Sequence, residues 1–175
     1  MLKTWPSKMQ VSNATKQLLI KSLISFLLIF GTVNSFQSSG WYFAYEQQPY
    51  LRCLPYEISL IKKHTFLPNE LERGGLVAVK TDKYQQYYKK DIKLLKSVAG
   101  VPGDVIDMTG NKLTINNKVF GTLMRDENFK PFTETIFTLK DDEFFVIGTS
   151  KTALDSRIIG PISSADIIGY GYAIL

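Results

Sequence analysis

A mostly β domain behind one N-terminal apolar helix is what the sequence predicts, and three observations carry that reading. From Ser22 to Tyr45 there is no charged residue, a stretch long enough to cross a bilayer as a helix. Beyond it, short β-prone runs alternate with glycine, proline and asparagine turn signals. Outside the first segment, no run carries the apolar spacing of an amphipathic helix.

The elements follow in order. Leu18 to Val33 is the strongly apolar part of the first segment, and Lys21 at its edge would snorkel towards headgroups. Trp41, Tyr42 and Tyr45 sit where an interfacial aromatic belt would lie. The expected division is a basic tail over residues 1–21, a transmembrane anchor over 22–45 and an outer domain over 46–175. A cleaved secretory signal is the alternative for the first segment, because a basic flank and a short apolar run describe both. Gln47 to Tyr50 reads as a connector and Pro68-Asn69-Glu70 as a loop. Strands are expected over Tyr56–Ile61, Leu76–Val79, Ile92–Ala99, Val105–Met108, Lys112–Ile115, Val119–Phe120, Phe144–Ile147 and Ile167–Leu175. Gly100-Val101-Pro102-Gly103-Asp104 is a strong turn, and Asn116-Asn117 supplies another.

The net charge of +5 belongs to the tail. Lys3, Lys8, Lys16 and Lys21 precede the first acid, Glu46, and without them the chain carries about +1. Basic residues stay on the cytoplasmic side, so the remainder is expected outside. Lys80, Lys83, Lys89, Lys90 and Lys93 interleave with tyrosines, as in single-strand nucleic-acid binders. Asp82 and Asp91 dilute that run, a solvated loop is the better reading, and no nucleic-acid partner is expected. Cys53 is the one cysteine and His64 the one histidine, which excludes a disulfide framework and a Cys/His zinc cluster. No metal or cofactor is expected.

One lysine stands apart. Strand alternation puts Ile92, Leu94, Lys96 and Val98 on one face, with Lys93, Leu95, Ser97 and Ala99 on the other. A lysine among apolar neighbours is desolvated, which disfavours its ammonium and suits it to general-base work. A lysine snorkelling from a strand edge fits the same pattern.

Three stretches together resemble the signal peptidase I family of Ser/Lys peptidases. Leu95-Lys96-Ser97-Val98-Ala99-Gly100-Val101-Pro102-Gly103-Asp104 is similar to that family's Lys-Arg-x-x-Gly-x-Pro-Gly-Asp box, with Ser97 at the arginine position. Ile147-Gly148 through Asp155-Ser156-Arg157-Ile158-Ile159-Gly160 is similar to its Asp-Ser-Arg box, and Arg73-Gly74-Gly75 to its Arg-Gly-Asp, with Gly75 for the acid. The resemblance implies a barrel-like β catalytic domain with Lys96 as general base. It implies Asp155 and Arg157 as a supporting ion pair.

The family's nucleophilic serine, followed two residues later by proline, falls on Cys53 before Leu54 and Pro55. That arrangement resembles the TraF-like branch, which matures conjugative-transfer proteins. A thiol can take the serine's role. Ser59 is a second candidate nucleophile, and His64 a second candidate base for Cys53. The lysine-orienting serine of many relatives is Ala153 here; Ser150 or Thr152 could substitute. Leu51 offers no hydroxyl at the position two before the nucleophile, and the Cys53 backbone N–H would be one oxyanion donor. The implied activity is endoproteolytic removal of leader peptides from exported precursors, conjugative pilin or transfer proteins among them. The implied location is the bacterial cytoplasmic membrane, with the catalytic domain on its outer side. The rival is a catalytically silent member serving as a scaffold in a secretion or conjugation assembly.

The orientation is directly testable. A reporter fused after Leu175 is expected to be active only outside the cytoplasm; protection of the C-terminal domain from added protease in spheroplasts would contradict it.

Overall fold

The computed structural model describes residues 12–45, 53–64, 70–88, 91–123, 132–133, 135–150 and 153–174. It divides into two compact units, 1–39 and 40–175.

The first unit contains α1 (Asn13–Ser38), a 26-residue helix, long and apolar enough to cross a membrane. At 1.5 Å per residue it is about 39 Å long, against a hydrocarbon core of roughly 30 Å. Ser12 caps it by accepting the Thr15 N–H. The polar side chains of its apolar stretch turn back on the helix itself. Ser22 donates to the Leu19 carbonyl, Thr32 to Ile29 and Asn34 to Phe30. Such self-satisfaction lowers the cost of carrying them into hydrocarbon.

The second unit is mostly β. Among the described residues its strands are β1 (Trp41–Tyr45), β2 (Ile58–Lys63), β3 (Leu76–Val79), β4 (Leu94–Gly100), β5 (Val105–Asp107), β6 (Lys112–Ile115), β7 (Lys118–Thr122), β8 (Ile136–Thr138), β9 (Glu143–Ile147), β10 (Ile162–Ser163) and β11 (Ile167–Ala173). A one-turn helix, α2 (Ser156–Ile159), follows β9. One sheet runs β1-β2-β11-β3-β4-β9-β10 and the other β7-β6-β5-β8. All pairings are antiparallel.

Two cores hold the unit together. The first lies on one face of the large sheet, where Val77, Val79, Val98, Phe144 and Val146 meet Leu71, Tyr84, Leu154 and Ile159. The second joins the two sheets, with Ala99 and Phe145 packed on Ile106, Leu113 and Ile115. Mostly β architecture, as expected from the turn-punctuated runs, is therefore built around two apolar layers.

The boundaries differ in places from the sequence expectation. The helix begins at Asn13 rather than at residue 22 and ends at Ser38 rather than at 45. Trp41 to Tyr45 form β1, paired in register with β2 from Trp41–Lys62 to Tyr45–Ile58. The Lys62 ammonium lies 5.2 Å from the Trp41 ring centre, and Lys63 and Lys93 each 5.9 Å from that of Tyr42. Strands β1, β8 and β10 carried no alternation signal strong enough to stand out.

The turn after β4 is tied from several directions. Arg73 donates to the Ala99 carbonyl at 2.6 Å and pairs with Asp104 at 2.8 Å. Asp104, nearly buried, also accepts from the Val101 N–H at 2.8 Å and from Asn116 Nδ2 at 2.7 Å. Gly103, at φ +86°, supplies the left-handed residue that closes the turn. Burial pushes the Asp104 carboxyl up, but the hydrogen bonds from Arg73, Val101 and Asn116 outweigh it and hold it below its usual 3.8. A lowered folded-state value stabilises above the unfolded value and loses that stabilisation as pH falls through the folded one. The Asp104→Asn variant should melt below wild type at pH 7, with the gap closing as pH drops below about 4. Thermal melts from pH 7 to 3 check this; a gap independent of pH would contradict it.

Candidate active site

Lys96 lies in the middle of β4, opposite Val77 of β3. Its residue exposure is 0%, and its Nζ has no hydrogen-bond partner among the described residues. Ile92, Leu94 and Val98, the neighbours that alternation placed on its face, all pack into the first core. Ala99 belongs to the second core, on the other side. An unpaired ammonium in such surroundings would carry an uncompensated desolvation cost of several kcal/mol.

Cys53 is half-buried and sits on a chain segment laid over the end of β9. Its carbonyl accepts the Thr149 N–H at 2.6 Å and the Thr149 hydroxyl at 3.3 Å. Residue 148 must be glycine for this to happen. A Cβ there would stand 2.6 Å from the Cys53 oxygen and 2.7 Å from Ala153 Cβ, closer than atoms pack. In the β4–β9 register Ser97 faces Ile147 and Val98 faces Val146, so one step further brings Gly148 opposite Lys96. The missing Cβ of Gly148 therefore leaves room for the Cys53 backbone on the Lys96 side of the sheet.

The loop beyond β9 is fixed by Asp155 and Arg157. Asp155, fully buried, accepts the Gly148 N–H at 2.8 Å and the Arg157 N–H at 3.1 Å, capping α2. The expected ion pair is present, with Arg157 Nη2 2.5 Å from Asp155 Oδ2 and Nε 2.9 Å from Oδ1. Arg157 also donates to the carbonyls of Gly148 and Ser150, at 3.2 and 2.8 Å. Two-point binding between guanidinium and carboxylate fixes direction as well as distance. Ser156, between them, is fully buried, and its hydroxyl accepts the Val146 N–H at 2.9 Å, tying α2 to β9. Losing that acceptor would leave a buried N–H unpaired, costing about 1–3 kcal/mol.

The competing residues are Ser59 and His64. Ser59 is buried in β2 and lines, with Cys53, Lys93 and Leu95, a cavity of about 140 Å³. Its register partner is Ala173; two residues back, Gly171 faces Leu76, which faces Ser97. Ser59 thus shares the sheet face of Ser97, opposite to that of Lys96. His64 lies at the end of β2, 3.3 Å from Glu70 and stacked on Tyr170. Ala153 is buried against Gly148 and carries no hydroxyl. Ser150 contributes its carbonyl to Arg157, while Thr152 and Leu51 lie outside the described residues. A cleft of about 370 Å³ runs beside the loop, lined by Ser97, Leu113, Phe120, Gly148, Thr149 and Arg157.

Sequence reading passed over three residues here: Gly148, Ser156 and Tyr84. Tyr84 lay in a hydrophilic lysine–tyrosine run, yet it is buried to 1% exposure in the first core, its hydroxyl without a partner among the described residues. No spacing signal marks it, because it enters the core from a short 3-10 turn capped by Thr81.

Gly148→Ala isolates the docking of Cys53. The added methyl meets backbone rather than a flexible side-chain end. Any proteolytic turnover should fall at least tenfold while the domain stays folded by circular dichroism; turnover equal to wild type would show that Cys53 need not sit against Gly148.

Comparisons with known proteins bear on the family of the chain. A family model described as signal peptidase, peptidase S26, matches residues 13–175. Signal peptidase I P of Bacillus subtilis subsp. natto is 26% identical over 120 residues, 62% of each chain. The chain thus spans about three fifths of that relative's length. A solved signal peptidase I from Enterococcus faecalis superposes with a TM-score of 0.38 at 19% identity, covering 57% of this chain and 95% of that one. With a family match over nearly its whole length, this chain belongs to the signal peptidase family, peptidase S26.

Proposed function

We propose that the chain is a membrane-anchored endopeptidase that removes leader peptides from exported precursor proteins, using Cys53 as nucleophile and Lys96 as general base. The observation that carries the reading is Lys96, a lysine with no exposure and no partner among the described residues, on the sheet face over which the Cys53 backbone is laid. A lysine of that kind serves structure poorly. As a neutral amine it has a lone pair to accept a proton.

The mechanism follows from the atoms. The Cys53 thiol gives its proton to Lys96 as sulfur attacks the scissile carbonyl. The Cys53 backbone N–H supports the oxyanion. Collapse expels the amine of the mature protein, which takes its proton from Lys96, and leaves the leader peptide as a thioester on Cys53. Water, deprotonated by Lys96, then attacks the thioester; the leader leaves as a carboxylate and the proton returns to sulfur. The cleft beside Gly148 and Thr149 receives the substrate segment next to the scissile bond. Asp155 and Arg157 take no proton; they hold the loop that borders the cleft and receives the Cys53 segment.

Helix α1 is the anchor in this reading, with the lysines before it in the cytoplasm and the β domain outside. Confining enzyme and substrate to one membrane raises their effective concentration. The Cys53-Leu54-Pro55 order supports conjugative pilin or transfer proteins as the substrate class. One observation favours the silent-scaffold reading: Ala153 removes the hydroxyl that orients the base in many relatives. Thiol alkylation separates the two, because an active Cys53 is labelled rapidly and protected by substrate.

In a precursor-cleavage assay read by mass spectrometry, Lys96→Met and Cys53→Ala should each abolish turnover without unfolding the domain. Lys93→Met, on the other face, should retain it. Cys53→Ser should keep measurable activity and lose sensitivity to alkylation. Full cleavage by Lys96→Met would remove the mechanism, and full cleavage by Cys53→Ala would move the nucleophile.

A further inference from the structure

We infer that Tyr84 is the residue that positions Lys96, its phenolic oxygen accepting an N–H of the lysine amine where a serine at position 153 would otherwise do so. The inference rests on the Cys53–Lys96 reading and extends it to a residue that none of the matching boxes contains.

Four observations converge. Ala153 is buried and offers no hydroxyl, so the amine lacks its usual partner from that loop. Among buried side-chain polar atoms of the described residues, those without a hydrogen-bond partner are Lys96 Nζ and the hydroxyls of Tyr84 and Tyr42. Tyr42 belongs to β1, with Lys63 and Lys93 over its ring. Tyr84 and Lys96 remain; Tyr84 belongs to the first core, and Lys96 is buried on the sheet face that this core covers. Tyr84 shares its cluster with Val77 and Val98, the first being the cross-strand partner of Lys96 and the second its same-face neighbour two residues on. Leu154, beside Ala153, packs in the same cluster.

Electrostatics point to the same location. Burial, and after it the charges of Asp155, Cys53, Asp166 and Tyr88, raise the Tyr84 phenol above its usual range. The hydroxyl therefore lies within the field of the nucleophile and of the loop carboxylate, and it keeps its proton. A neutral phenol can accept an amine N–H without forming an ion pair, which leaves the lysine lone pair free to turn towards sulfur. Two buried polar groups left unpaired each carry a desolvation cost, and one hydrogen bond between them, formed by rotation of the lysine side chain, relieves both.

The backbone gives Tyr84 a fixed base from which to do this. Thr81 caps the turn by accepting the Lys83 N–H, the Tyr84 N–H bonds the Thr81 carbonyl, and the Tyr84 carbonyl accepts the N–H groups of Tyr87 and Tyr88. A rigid ring from a pinned turn loses little entropy in orienting a long, flexible lysine.

The test compares Tyr84→Phe, Ala153→Ser, the double variant and Lys96→Met on a leader-bearing precursor. Phenylalanine keeps the ring and removes only the oxygen, so the domain should stay folded, with a modestly lower melting temperature because the amine loses its acceptor. Tyr84→Phe should lower kcat at least tenfold with KM within about twofold, because a mispositioned base weakens the chemical step and not substrate binding. Ala153→Ser in the Tyr84→Phe background should restore most of the lost kcat. Wild-type kcat in Tyr84→Phe would overturn the inference, as would a loss that the serine does not rescue or a rise in KM alone. An active Lys96→Met would instead overturn the dyad beneath it. An inactive Lys96→Met beside a fully active Tyr84→Phe would refute Tyr84 alone.

Discussion

Asp155 and Arg157 clasp Gly148 from both sides, and the rest of the site depends on that grip. The carboxylate takes the glycine N–H while the guanidinium takes its carbonyl. Gly148 thereby leaves β9 in a single direction, and Cys53 can lie against it only because it has no Cβ. The ion pair is almost wholly buried, an arrangement that contributes modest net stability but leaves a large penalty if one partner is removed. Its role is better understood as specification of one loop geometry than as a source of stability.

A second constraint opposes the first. Lys96 and Tyr84 are buried with no partner for their polar ends among the described residues, although folding favours pairing buried polar groups. The well-packed layer of Val77, Val79, Val98, Phe144 and Val146 around them supplies the compensating apolar burial. Strain of this kind concentrates where chemistry is done. The large sheet therefore does two things at once. Its centre isolates an amine from water, and the end of β9 receives the Cys53 segment on the same face.

Much of this was legible in the sequence, for identifiable reasons. The apolar run of α1 and the glycine–proline turn after β4 are local signals, so both could be read directly. Lys96 was legible because strand alternation is a period of two, and Ile92, Leu94 and Val98 share its face. The ends of α1 were misjudged because Ser12 and Asn13 carry no apolar signal, and because the uncharged aromatic residues after Ser38 look alike in a membrane interface and in a strand. Tyr84 and Ser156 were invisible because their roles arise from contacts between segments far apart in the chain. That Ser59 lies on the opposite face from Lys96 follows only from the register through β11 and β3, which no local spacing reveals.

The central claim is covalent catalysis at Cys53, and trapping the intermediate tests it most directly. Protein mixed with a leader-bearing precursor, quenched in acid within the first turnovers and digested, should yield a Cys53 peptide heavier by the mass of the leader. Hydroxylamine should release that adduct, as expected of a thioester, and Lys96→Met should not form it. An acyl group on any other residue, or undiminished cleavage after Cys53 has been alkylated, would contradict the account.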